Sequence, residues 1–316
     1  MLDELKSSLR MNLRIYAKLF KDQPLSFVGA VVILSLIAIA LFAPILAPPI
    51  SKDPYSVPYV FPVGVWTPAP TLPNATYPFG TMNGYDLYYG CIWGVRMAFQ
   101  MSILTTLIAV LIGLSIGSIA GYSEGLVDEV LMRFTDAFFA IPGLAYVLLV
   151  VTAMPLSWEI NLGLISFNVT LSTIDKIILA LAIIGWPPYA RLVRGEIKKV
   201  KQQDFVEAAK AIGCSRLRVL TRHILPNSIN PLLSLAFLNV GGVILAASTV
   251  SFLGFGPGLG YAELGSIIAH TRIYLTTQFA LLTFIPAAFL SAFVLGWSLL
   301  GDALVYVMDP TLGRRL

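Results

Sequence analysis

The sequence predicts an all-α integral membrane protein with six transmembrane helices. Two observations carry that prediction: uncharged runs long enough to cross a bilayer, and positive charge gathered on one side of them. Of the 316 residues, 57% are hydrophobic and 12% charged, about half the charged share of an ordinary soluble domain. Mean hydropathy is +0.81. The apolar residues are collected into runs rather than spread evenly, the pattern of spans through roughly 30 Å of hydrocarbon.

Residues 1–25 carry Lys6, Arg10, Arg14, Lys18 and Lys21 among leucines, a basic amphipathic segment suited to an anionic inner leaflet or a plain cytoplasmic tail. The first span occupies 26–50; it is too long and too late in the chain for a cleavable leader. Residues 51–90 are rich in Pro, Tyr, Asn and Gly, so they form a loop outside the membrane rather than a long helix. Within it, Asn74-Ala75-Thr76 is a glycosylation triplet whose use depends on the host.

The core, residues 91–316, holds five further spans. Met97–Ser123 carries Gly113, Gly117 and Gly121 at four-residue spacing, either a helix-packing face or simply the glycine common in membrane helices. Met132–Met154 forms the next span. The outer segment 155–173 is expected to hold an interfacial piece around Trp158. Ile177–Ala190 crosses next, kinked at Trp186-Pro187-Pro188, followed by Ile229–Phe252. A glycine-rich outer loop covers Gly254–Gln278, and Phe279–Leu300 is the last crossing.

The excess of Lys and Arg on the inner side places both termini in the cytoplasm. Arg191, Arg194, Lys198, Lys199, Lys201, Lys210, Arg216, Arg218 and Arg222 then share one inner connection, while Lys52, Arg96, Lys176 and Arg272 fall outside. The charge distribution fits a lipid bilayer, and no nucleic-acid partner is expected. Cys91 and Cys214 lie on opposite sides, so no disulfide or metal chemistry is expected.

The spans contain almost no ionisable residues, Asp136 near an inner end being the main exception, whereas ion-coupled transport needs buried carboxylates or histidines. His223 and His270 both fall outside the hydrocarbon, and His223 is expected to hydrogen-bond backbone carbonyls. Neither a serine elbow nor a metal-ligand cluster occurs in the sequence. Leu253-Gly254-Phe255-Gly256-Pro257-Gly258 precedes no Lys-Ser or Lys-Thr pair, so it is a turn cluster and not a nucleotide cradle. Uphill movement of a solute therefore needs energy from another chain.

One charged interval, QDFVEAAKAIGCSRLRVLTRHILPN over Gln203–Asn227, stands apart. Asp204 followed by Glu207 suits a capping box. Phe205, Ala208, Ala209 and Ile212 share one helical face, and Gly213 sits where a helix C-terminal glycine belongs. Ser215 opens a second short helix that Pro226 ends, with Leu217, Leu220 and Ile224 on one side. So narrow an apolar face needs a cover, either the protein's own bundle or a partner's groove.

Glu207-Ala208-Ala209, then Gly213, then His223-Ile224-Leu225-Pro226-Asn227 resembles the EAA loop of ABC-importer permeases. Gly185-Trp186-Pro187, Tyr189 through Glu196, Ser251-Phe252-Leu253-Gly254, Phe79-Gly80-Thr81, and Gly94 with Arg96 are similar to the second-permease subunit of dipeptide, oligopeptide and nickel transporters. The likeness runs from about Phe79 to Leu312. It departs at Met82 and Gly84-Tyr85-Asp86, and the outer loop is longer and more aromatic than the family pattern.

The resemblance implies the type I ABC-importer permease architecture with cytoplasmic coupling helices, in the plasma membrane. It implies a non-enzymatic transport subunit with no cofactor of its own, ATP and Mg being held by two cytoplasmic ATPase subunits. A sister permease and an extracytoplasmic solute-binding protein complete the implied assembly. Coupling to the ATPase would fall to Asp204, Phe205, Glu207, Ala208, Ala209, Ile212, Gly213, Leu225 and Pro226. Di- or oligopeptides are the implied solute, with oligosaccharides or nickel as alternatives. A passive channel or facilitator is the reading from another class.

Overall fold

The computed structural model describes residues 24–61, 69–123, 125–161 and 166–308. The basic N-terminal segment read at 1–25 lies almost wholly outside the described residues, as does the tail with Arg314 and Arg315. Helix α1 (Pro24–Leu46) is followed by the outer loop, a two-residue antiparallel pair β1 (Thr81–Met82) and β2 (Tyr85–Asp86), and α2 (Leu87–Tyr122). Next come α3 (Leu126–Phe139), α4 (Gly143–Ala153), and β3 (Ser157–Asn161) paired antiparallel with β4 (Ser166–Thr170). Helices α5 (Thr173–Gly185) and α6 (Pro187–Lys201) lead to the short α7 (Asp204–Ala211). The chain closes with α8 (Arg216–Phe255), α9 (Leu264–Thr271) and α10 (Leu281–Met308). Among the described residues, five helices are long and apolar enough to cross a membrane, and up to six crossings result if the bent α3–α4 pair is one of them.

Several elements differ from their sequence reading, each for a local reason. The span expected at Met132–Met154 is not one helix, because α3 and α4 bend by 83° between Phe139 and Gly143. Pro142 is the cause: it has no N–H for the helix ladder and its ring excludes the preceding helical turn, so α4 restarts from it. The piece around Trp158 is a β-hairpin strand, with Ser157 opposite Thr170 and Asn161 opposite Ser166. Trp158, Ile160, Phe167 and Val169 are residue types that suit a pleated strand.

Helix α2 begins at Leu87, well before Met97. Its start is set by Asp86, whose carboxylate accepts the Tyr88 N–H at 2.9 Å and the Tyr89 N–H at 3.4 Å. Pro226, expected to end a short helix, lies inside the continuous α8. A π-turn at Val219–Ile224, with the Leu225 N–H donating to Leu220 O, widens the helix just ahead of the proline. Such a bulge relieves the clash that an interior proline imposes on a regular helix.

The outer loop Gly254–Gln278 holds a buried helix, α9, whose Leu264 and Ile267 are almost inaccessible. Its N-cap is Glu263, whose two carboxylate oxygens accept the Gly265 and Ser266 N–H groups at 2.9 and 2.7 Å, with Ser248 Oγ at 3.3 Å. Glu263 is itself 1% exposed, a buried carboxylate that sequence reading missed. Burial pushes its carboxyl up from the ordinary range, against the pull of the two amides. With its oxygens committed to a helix cap, it serves structure rather than a proton relay.

The residue 51–86 loop is stitched onto this region. Val57 N–H donates to Gly260 O and Ala262 N–H to Tyr55 O, both at 2.8 Å, while the Tyr55 hydroxyl meets Gln100 Oε1 at 2.7 Å. Lys176, read as an outer charge, is buried and donates to Met154 O at 2.5 Å, closing the end of α4. The apolar core lies where α1, α2, α8 and α10 meet, around fully buried Met101 and Phe293.

Candidate functional site

The charged interval folds as a knuckle between two long helices. Helix α7 runs Asp204–Ala211, and Ile212, Gly213 and Cys214 form a tight reversal. Gly213 has φ +82°, the left-handed region open to glycine. Its N–H donates to Lys210 O at 3.0 Å and the Cys214 N–H donates to Ala209 O at 3.2 Å, the paired bonds of a Schellman C-cap. Ser215 Oγ then accepts the Arg218 N–H at 3.4 Å and starts α8.

The capping box expected at Asp204 is absent. Gln203 occupies the cap position in extended conformation with no side-chain cap bond, so Asp204 is already inside the helix. Asp204 and Glu207 act there by charge, near the positive end of the helix dipole.

The four residues read as one docking stripe separate into two groups. Ala209 is 4% exposed and packs inward with Val206, joining Ile197, Val200, Val219 and Ile224 in a buried cluster. Phe205, Ala208 and Ile212 face outward, Ile212 being 81% exposed and Leu217 beside it in sequence order 70%. At 100° per residue, Ala209 borders both stripes, which is why the pattern assigned it outward; Val206 supplies the inner one. Leu225 is half-buried and Pro226 exposed. The protein's own bundle thus covers one side of the knuckle and leaves an apolar strip on the other.

The arms of the knuckle are firmly held. Helices α2 and α6 form the most extensive helix pair. A Cβ on Gly113 would lie 2.5 Å from Tyr189 Cβ, one on Gly117 2.5 Å from Ala190 O, and one on Gly121 2.9 Å from Ile197 Cβ. The same helix α6 is tied to α3 by ion pairs separated by more than fifty positions in sequence, which no local pattern reveals. Asp128 accepts from Arg194 Nε and a second guanidinium nitrogen at 2.5 and 2.7 Å, and from Lys198 Nζ at 2.5 Å. Asp136 receives Arg191 at 2.5 Å, and that guanidinium stacks 3.9 Å above the Phe139 ring. Lys201 Nζ donates to Tyr122 O at 2.8 Å, joining the ends of α6 and α2.

Asp128 is nearly buried and holds two cations, so Asp128→Ala should lower stability by about 2 kcal/mol, between exposed and buried pairs. Thermal unfolding of the solubilised protein measures this. Combined with Arg194→Ala, the double variant should lose less than the sum of the singles; strict additivity would show that the pair is not energetically coupled.

Of the histidines, His270 bonds a backbone carbonyl, its Nδ1 lying 2.7 Å from Ser266 O. At His223 the chain uses the carbonyl, which accepts from Asn227 Nδ2 at 2.7 Å. Cys91 and Cys214 are both free thiols.

Residues 113–314 match the family described as the inner membrane component of binding-protein-dependent transport systems. The chain belongs to this family. Residues 13–59 further match the N-terminal transmembrane domain of oligopeptide transport permease C. The probable D,D-dipeptide transport system permease protein DdpC of Escherichia coli K12 is 32% identical over 94% of this chain and 91% of its own length. The oligopeptide transport system permease protein OppC of Bacillus subtilis is 30% identical over 93% and 88%. A structure of the MetNI methionine ABC transporter in an inward-facing conformation shares the fold, with TM-score 0.53 at 15% identity over 70% of this chain and 97% of that one. The chain is therefore a multi-pass permease subunit of the ABC-importer type, and the knuckle lies within the matched family region.

Proposed function

We propose that this permease forms one of the two membrane subunits of an importer for di- or oligopeptides, driven by partner ATPases that bind the knuckle. The observation that carries the reading is the uncovered strip of Phe205, Ala208 and Ile212 on an element rigidly joined to α6 and α8. Two cytoplasmic ATPase subunits, holding ATP and Mg, would close and push on this strip, with Glu207 pairing a basic residue of the ATPase. Because α6 is fastened to α2 and α3, a push on α7 becomes a tilt of packed helices. That tilt exchanges inward-open for outward-open cavities.

The partners follow from the same reading: a sister permease completes the pathway, and an extracytoplasmic binding protein delivers solute to the outer mouth. Both termini are cytoplasmic in this arrangement, by the inner excess of Lys and Arg. Relatives named for D,D-dipeptides and oligopeptides support a peptide solute. Mass spectrometry of the solute retained by a co-purified binding protein tests it, and an oligosaccharide or nickel ion there would overturn the peptide assignment.

The coupling role has its own test. Ile212→Asp places a charge in the apolar strip without touching the inner stripe, and should abolish co-purification of the ATPase while membrane insertion is unchanged. Full retention of the ATPase by this variant would refute the docking face. The purified chain by itself should hydrolyse no ATP, whereas a passive channel would purify as a homo-oligomer with no ATPase attached.

A further inference from the structure

Two cavities meet at the end of α8, where it passes into the glycine-rich turn and α9. One, of about 220 Å³, has Phe252, Gly256, Gly258, His270 and Arg272 among its walls. The other, of about 150 Å³, is largely apolar and lies between α8, α9 and α10, walled by Leu245, Phe252, Ile268 and Leu290 among others. Phe252 borders both, and the Arg272 guanidinium sits 5.1 Å from the centre of its ring. Phe252 and Arg272 are exposed, so the first cavity opens at the surface. Among the described residues Arg272 makes no ion pair, and Glu263, the nearest acid in sequence, is occupied as the cap of α9. His270 Nδ1 lies 2.7 Å from Ser266 O. A carbonyl only accepts, so the ring proton sits on Nδ1 and Nε2 offers a lone pair.

Resting on the peptide-importer reading, we infer that this pair of cavities receives the C-terminal residue of the incoming peptide. Its carboxylate would pair with Arg272, its side chain would enter the apolar cavity, and the N–H of its last peptide bond would meet His270 Nε2. A guanidinium fork matches a carboxylate with two N–H groups to two oxygens. An apolar cavity of about 150 Å³ holds a benzene-sized group, so one aliphatic or aromatic side chain fits and a longer segment does not. Helix α8 runs without a break from Arg216 at the knuckle to Phe255 beside these cavities. A tilt of α8 therefore moves one wall of both cavities against α9. The push of the ATPase and the grip on the solute act at opposite ends of one helix.

The test uses cells that carry the complete importer and no other peptide uptake system, supplied with radiolabelled Ala-Phe or Ala-Phe amide. The amide differs from the acid only in lacking the carboxylate. Wild type should favour the acid. Arg272→Gln should raise the KM for the acid about tenfold, the loss of one charge-assisted hydrogen bond, and leave uptake of the amide unchanged. Arg272→Lys should restore part of the acid preference. The binding protein is the same in every strain, so its own preference cancels from the comparison, and a merely structural role for Arg272 would lower both peptides alike. Leu245 is half-exposed on the wall of the apolar cavity, and Leu245→Trp, by filling that cavity, should lower uptake of Ala-Phe about tenfold relative to Ala-Gly. An acid-to-amide ratio untouched by Arg272→Gln would overturn the inference and leave the importer reading standing. Equal loss of Ala-Phe and Ala-Gly in Leu245→Trp would overturn the side-chain assignment. Uptake of neither peptide by the wild type would refute the peptide reading itself, and the inference with it.

Discussion

Gly213→Pro should reduce solute uptake to background while the chain still inserts and accumulates in the membrane. At φ +82° the position is closed to proline, whose ring holds φ near −65°. The substitution also removes the N–H that donates to Lys210 O. The reversal between α7 and α8 must then rebuild, which re-aims α7 relative to its two arms. Gly213→Ala is the graded control: nothing lies within 4 Å of an added Cβ there, so only the left-handed backbone penalty applies, about 1 kcal/mol. Its uptake should be partial. Wild-type uptake by the proline variant would show that the turn does not transmit force.

Gly117→Val should have the largest effect on stability. Its Cβ would come 2.5 Å from Ala190 O and 2.9 Å from Val193 Cβ, and a helix backbone cannot step aside as a flexible side chain does. Separating α2 from α6 undoes the pair that anchors the knuckle, and overpacking of this kind costs about 3 kcal/mol or more. Gly195→Ala on the outer side of α6 is the matched contrast. No atom lies within 4 Å of its added Cβ, so the helix should gain about 0.5–1 kcal/mol from the lost glycine flexibility. Thermal melting of the three solubilised proteins should rank Gly195→Ala, wild type, Gly117→Val; equal midpoints would contradict the close-approach geometry.

Much of the architecture was legible in the residues because its determinants are local. Uncharged length marks a helix that can cross, and a glycine after Ile212 marks the position where the knuckle turns left-handed. What escaped depends on distant partners or on competing local signals. Ile141-Pro142 sits inside an apolar run whose hydropathy hides the bend. Ala209 belongs to two overlapping stripes, and only the packing of Val206 against Ile197 and Val219 assigns it inward. Asp128 and Arg194, like Glu263 and Ser248, meet only after the helices assemble. No window of sequence contains both members of the first pair.

The central claim, that the knuckle receives force from an ATPase, is tested most directly by proximity. Ile212→Cys, in a Cys214→Ser background, is treated in whole cells with a membrane-permeant bifunctional thiol reagent. The account predicts a crosslinked product containing an ATP-hydrolysing subunit, with no reaction at Ile212→Cys when the reagent cannot cross the membrane. Labelling of that cysteine from outside intact cells, without any ATPase adduct, would contradict it.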